Sequence, residues 1–154
     1  MTLCAVGFPP TSDAIDDAEV VNELPYGLEF LAQAVALWRL VDPSRAAAIE
    51  VIKRRACNAP GDYIRFQLDD VGEVADLIGD VDVALIAAGV VDARWRVDPA
   101  RLPELSRCVP GLSRLTMAHP DHRNSALAEV MINAISVRNF FAHAKRDGCV
   151  VIHD

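Results

Sequence analysis

The sequence predicts a helix-rich α/β domain in which N-terminal helices pack on a small, largely parallel β-sheet formed mainly by residues 62–153. Three observations carry this prediction. The chain has 154 residues of which 52% are hydrophobic, enough for one core in a chain of single-domain size. Helix start signals and apolar periodicity dominate as far as residue 58. From residue 61 onward the segments alternate as β-α-β-α-β-α-β, an order that builds parallel sheets through right-handed crossovers. No linker or repeat divides the chain, so residues 1–154 read as a single globular domain.

Taken in order, Leu3 to Phe8 is a short apolar strand closed by Pro9 and Pro10. Ser12 or Asp13 offers an N-cap for a helix reaching Leu24, with acids in its first turn where the helix dipole favours them, and Pro25 ends it. Tyr26 to Val41 is apolar nearly all round, leaving only Glu29, Gln33 and Arg39 polar, which predicts a central buried helix. Asp42 followed by Pro43 opens a third helix through Ala56, and Pro60-Gly61 breaks it.

Beyond that break, Asp62 to Leu68 alternates with the period of a half-buried strand, and Val71 to Ile78 is a short helix. Val83 to Ala88 is a continuous apolar run that suits a strand buried on both faces, although its periodicity also allows a helix. Pro99 to Cys108 reads as a helix, Leu112 to Met117 as a strand, Asp121 to Arg146 as a long helix and Cys149 to His153 as a final strand. Trp38, Phe140 and Phe141 fall on apolar helix faces and belong to the core.

Charge is segregated. Residues 1–38 hold six acids (Asp13, Asp16, Asp17, Glu19, Glu23 and Glu29) and no Lys or Arg. Asp69, Asp70, Glu73, Asp76, Asp80 and Asp82 form a second block without a base, while the whole chain has 22 acids against 15 bases and a net charge of −7. Such a field opposes non-specific nucleic-acid binding, which needs Lys and Arg to neutralise phosphates, and suits a basic protein partner. No apolar run is long enough to span a membrane, and the N-terminus lacks the basic region of a secretory signal, so a cytoplasmic protein is expected. Cys4, Cys57, Cys108 and Cys149 are widely spaced, the pattern of reduced thiols rather than of a metal knuckle or redox pair. Whether the chain forms a homo-oligomer stays open.

Residues 82–89 (Asp-Val-Ala-Leu-Ile-Ala-Ala-Gly), with Asn133 and the later Gly148-Cys149-Val150-Val151, resemble the middle of a short-chain dehydrogenase over roughly residues 62–153. That family places a glycine-rich turn after its first strand, where this chain has Gly7-Phe8-Pro9-Pro10, and uses a Tyr with a Lys four residues on. Here Tyr26 and Tyr63 are followed at that offset by Phe30 and Gln67, so dinucleotide chemistry is not expected. Ala118-His119-Pro120-Asp121 resembles the opening of the metal motif of zinc-dependent sugar-amide deacetylases, in which a second acid acts as base; His122 and Arg123 follow here instead.

His119, Asp121 and His122 nevertheless offer nitrogen and oxygen ligands for a divalent metal such as Zn. They carry the alternative prediction of a metal-dependent hydrolase or other small-molecule enzyme. Cys149 and His153, four apart on a strand, are separated by about 13 Å and cannot form a nucleophile–base pair. Asp80 and Asp82, or Asp69 and Asp70, could meet Mg²⁺, but no glycine-rich phosphate cradle accompanies them. Lys53, Arg54 and Arg55 complement the dipole at the end of a helix.

With no complete catalytic constellation, the sequence favours a protein-binding module over an enzyme. Its most concrete form is a small acidic immunity or antitoxin protein that masks the active site of a basic toxin such as a nuclease, needing no cofactor. The expected partner-binding residues are Asp69, Asp70, Glu73, Asp76, Asp80 and Asp82, with Asp69, Glu73, Asp76 and Asp80 recurring along one face of a helix between two strands.

Overall fold

The computed structural model describes residues 2–9, 11–61, 63–118, 121 and 125–153. Strand β1 (Thr2–Gly7) pairs with β2 (Glu19–Pro25) on one side and with β4 (Val150–His153) on the other, and β4 pairs with β3 (Ile64–Phe66). The sheet order is β2-β1-β4-β3, so the first and last strands of the chain lie side by side at its centre. All three pairings are antiparallel.

Alternation along the strands builds two faces. Leu3, Ala5, Phe66 and Val151 point into the main core beneath the helices, where Phe66 meets Phe141 edge-on at 5.2 Å between ring centroids. Cys4, Val6, Val150 and Ile152 form a smaller cluster on the opposite face, covered by Phe8, Ile15 and Ala18 from the β1–β2 connection. The Arg65 guanidinium stacks 5.1 Å from the Phe8 ring and extends that cover.

Among the described residues seven α-helices complete the domain: α1 (Gly27–Val41), α2 (Pro43–Cys57), α3 (Leu68–Ile78), α4 (Val81–Ala87), α5 (Leu102–Cys108), α6 (Leu112–Ala118) and α7 (Ala126–Arg146). The apolar α1 is buried through Leu31, Ala34, Val35, Ala36, Leu37 and Trp38. Its first turn rests directly on β1, because a Cβ at Gly27 would lie 2.6 Å from Leu3. α2 starts where Asp42 accepts the backbone N–H of Arg45 at 3.1 Å, with Pro43 in the first turn. The long α7 turns Val130, Met131, Ala134, Val137 and Phe141 into the core between α1 and α3.

The expected helix-rich α/β character is present, but the expected parallel sheet is not, for reasons that can be read residue by residue. Val83 to Ala87 belongs to α4 and Ala88 caps it; Val81 and Leu85 are buried at a spacing of four while Val83 is exposed, a helical pattern. Leu112 to Met117 is likewise helical, in α6. Without those two strands there is no β-α-β crossover, and the remaining strands meet antiparallel.

The expected helix from Ser12 or Asp13 to Leu24 is replaced by a single 3-10 turn, Ile15–Asp17, and by β2. A helix there would set Asp13 against Asp17 and Glu19 against Glu23 at i,i+4 with no base to offset either pair. The adjacent β-branched Val20 and Val21 favour a strand instead. The strand expected over Asp62 to Leu68 contracts to Ile64–Phe66.

Candidate partner-binding surface

The two acidic blocks meet different fates. In the second, Asp70 is turned inward on the first turn of α3, 5% exposed, where its carboxylate accepts from the Arg55 guanidinium at the end of α2. Glu73, one turn further, lies 4.0 Å from the same Arg55. Asp76 lies 3.6 Å from Lys145 of α7, and Asp80 accepts from Arg138 of α7 at 3.0 Å. Asp69 is exposed and Asp82 half-buried, and neither has an ion pair among the described residues. Asp69, Glu73 and Asp76 do share the solvent side of α3. The helix ends at Ile78, so Asp80 follows it, and the next element is α4 rather than a strand.

Further side chains lock the end of α3. An α-helix leaves its last four carbonyls without intrahelical partners. Here Arg45 donates to the carbonyls of Asp76, at 2.9 Å, and Leu77; Trp38 Nε1 donates to Ile78 at 3.0 Å; and Arg138 donates to Gly79 at 3.0 Å. Arg45 also stacks 4.1 Å from the Trp38 ring centroid. At Gly72 a Cβ would fall 2.9 Å from Lys145 Cε, so the missing side chain lets α7 pass close over α3. Bases from α2 and α7 thus hold this acidic segment into the scaffold.

The first block has no such partners. Asp13, Asp16, Asp17, Glu19 and Glu23 are all exposed, and no Lys or Arg among the described residues lies within ion-pair distance of any of them. Asp17 accepts the Ser12 hydroxyl at 2.6 Å. The sixth acid, Glu29, is separate: it pairs with Arg114 of α6 at 2.8 Å. The five unpaired acids lie on β2 and the turn before it.

Strand β2 is the open edge of the sheet, pairing only with β1, and all of its residues are exposed except the half-buried Leu24. Ala5 pairs with Asn22 and Val6 with Val20, leaving Val21 as an inserted residue, a β-bulge. Val20 and Val21 are consequently 50% and 53% exposed, on an edge with no neighbour.

A second constellation escapes sequence reasoning. Gln33, expected among the polar positions of a buried helix, is 1% exposed; it donates to the Pro110 carbonyl at 2.9 Å and accepts from Asn133 at 3.0 Å. Its amide ties α1 to α7 and to the turn between α5 and α6. The only available signal was a lone Gln in an apolar helix, which does not name its partners.

Of the alternative metal set, His119 and His122 lie outside the described residues, and Asp121 is exposed. Among the described residues no group of three or more His, Cys, Asp or Glu side chains is arranged to hold a metal ion. Cys149 is buried, and that burial, with the nearby Asp147 charge as the smaller cause, raises the pKa of its thiol above the usual value. No helix among the described residues is long and apolar enough to cross a membrane. No protein-family model matches the chain, and neither the curated proteins nor the solved structures give a match.

Proposed function

We propose that the chain is a protein-binding module for a basic partner, in its most concrete form an acidic immunity or antitoxin protein that masks the active site of a basic toxin such as a nuclease. The observation supporting this reading is the exposed set Asp13, Asp16, Asp17, Glu19 and Glu23, without an ion pair among the described residues, on the edge strand β2 and the turn before it. Like charges gathered without counter-ions destabilise the free protein slightly, and a basic surface relieves that repulsion on docking.

The reading shifts the weight of docking from the expected residues 69–82 to residues 13–23. Asp70 has its charge committed to Arg55, Glu73 lies near the same Arg55, and Asp76 and Asp80 face Lys145 and Arg138. Asp69 and Asp82 carry no such partner among the described residues and extend the acidic field as neighbours of a partly neutralised surface. Capture of a basic protein by the tagged chain from its native host, followed by co-expression of the two, tests the reading. The expected outcome is a one-to-one complex, loss of the partner's toxicity, and an association rate that falls as salt rises, because the Debye length shrinks from ~10 Å at 0.1 M to ~3 Å at 1 M. Absence of a complex, or a complex whose association rate ignores salt, overturns it.

A further inference from the structure

We propose that β2 receives its partner by strand addition: a basic, extended segment of another protein pairs with the free edge and lengthens the sheet from four strands to five. This inference rests on the reading of the chain as a module for a basic partner and specifies how that partner is held. An edge strand presents a row of backbone donors and acceptors that a second extended chain can satisfy, with side-chain pockets and charges supplying selectivity.

The two edges of this sheet are not equivalent. β3 is three residues long and lies against α2, whereas β2 is seven residues long and exposed except at Leu24, although α7 also reaches it. Cross-strand partners share a face, so Val20 stands with Val6 and Glu23 with Cys4 on the face of the smaller cluster, while Asn22 stands with Ala5 and Leu24 with Leu3 on the helix-facing side. The inserted Val21 reaches the space beside Gly7, where its Cγ2 lies 3.7 Å from the position a Cβ there would take. Each face of the edge therefore offers one half-exposed valine with a carboxylate close by. An incoming strand of alternating apolar and basic residues would cover the valines and meet Glu19 and Glu23.

Charge decides which occupant fits. A second copy of this chain would bring Asp13, Asp16, Asp17, Glu19 and Glu23 against the same five acids with no intervening base, and like charges across a strand pair are destabilising. The edge is also guarded against indiscriminate pairing. The bulge at Val21 interrupts its register, Asn22 Oδ1 accepts the Glu23 backbone N–H at 2.9 Å, and Pro25 supplies no N–H at the strand end. A basic strand has the electrostatic gain to displace the Asn22 cap, which an acidic or neutral strand lacks.

The test uses three synthetic heptapeptides: alternating Val and Lys, alternating Val and Glu, and the Val/Lys sequence with a central Pro that cannot complete a strand. Isotope-labelled protein is titrated with each at low salt, and amide shifts and hydrogen exchange are followed by NMR, with poly-lysine as a basic probe that has no apolar face. Strand addition predicts that only the Val/Lys peptide shifts and protects β2 amides, and that Glu19→Lys/Glu23→Lys weakens it about tenfold, a difference of ~1.4 kcal/mol, while the Val/Glu peptide gains binding.

Shifts centred on Asp69 and Glu73, or equal binding of the proline peptide, overturn strand addition and leave the basic-partner reading standing. Absence of binding by both the Val/Lys peptide and poly-lysine overturns both. Dimerisation through β2 in the absence of peptide assigns the edge to a second copy and overturns the proposal.

Discussion

The segments 13–23 and 69–82 look alike in the sequence, since each is a run of acids without a base, yet the fold treats them in opposite ways. α2 and α7 bring Arg45, Arg55, Arg138 and Lys145 to the second segment, where they pair its carboxylates or cap the helix end. Among the described residues no Lys or Arg reaches the acids of β2 and the turn before it. A local charge count therefore cannot distinguish an acid that holds a scaffold together from one that is left facing outward. What separates the two is the company supplied by residues remote in sequence.

The comparison can be broken most forcefully at the lock on α3. Trp38→Ala removes a buried ring, its hydrogen bond to the Ile78 carbonyl and the surface on which Arg45 stacks. It should cost about 3–5 kcal/mol in urea unfolding, while the exposed β2 substitutions Glu19→Lys and Glu23→Lys together stay within about 0.5 kcal/mol. Equal costs at the two sites would erase the distinction between scaffold and open edge.

Arg55→Ala should have the next largest effect. It leaves the Asp70 carboxylate buried without its cation, a change that costs about 3–5 kcal/mol in a fully dry pair. The Arg55 end of this pair is 57% exposed, which reduces the expected loss to about 2 kcal/mol. A value indistinguishable from zero would mean that the pair contributes nothing and that Asp70 is held by packing alone.

Gly72→Ala works in the other direction. The new methyl group pushes only the far end of the Lys145 side chain, and the helix gains up to about 1 kcal/mol from replacing a glycine. A small stabilisation is expected, together with release of Lys145 from Asp76, visible as a shift of the Asp76 carboxylate signal. Destabilisation would show that Lys145 has no room to move.

A smaller effect comes from an acid whose partners are its own backbone. Asp92 accepts the N–H groups of Arg96 at 3.0 Å and Arg94 at 2.8 Å, in a turn that holds Trp95 at a left-handed φ of 60°. The Arg96 backbone hydrogen bond is the main cause that holds its pKa below the ordinary 3.8; desolvation opposes it, and the Arg94 backbone hydrogen bond and the two arginine charges add to it. A carboxylate with a depressed folded-state pKa contributes stability that is present above that ordinary value and is lost as pH falls through the folded one. Asp92→Ala should therefore lose stability at neutral pH and show a shallower decline below about pH 4 than the unmodified protein, followed by thermal melting across pH 2–7.

How much of this was legible depended on whether the governing contacts were local. α1 and α2 were readable because an apolar stretch and an Asp-Pro start lie within the segments themselves, and the central strands β1 and β4 because each is a short apolar run. β2 was misread as a helix because Ser12 and Asp13 look like a cap, while its true partner is β1 and its like-charge spacings forbid the helix only on closer count. α4, left open between strand and helix, and α6, read as a strand, were not settled because seven-residue segments fit either structure, and which faces are buried is decided by α1 and α7. The acidic surface was legible as composition. The bases that pair with part of it come from 15 to 85 residues away, as in Arg55 with Asp70 and Arg114 with Glu29, distances no local pattern reports.

The central claim is that the outward-facing acids of β2, rather than the paired acids of α3, receive a basic partner. Its most direct test is the association rate, by stopped flow at low salt, of the basic partner obtained by co-expression with two charge-reversed forms, Glu19→Lys/Glu23→Lys and Glu73→Lys/Asp76→Lys. The account predicts that the first slows association about tenfold and the second by less than about twofold, with both proteins folded. The reverse order, with the α3 variant the slower, would contradict it.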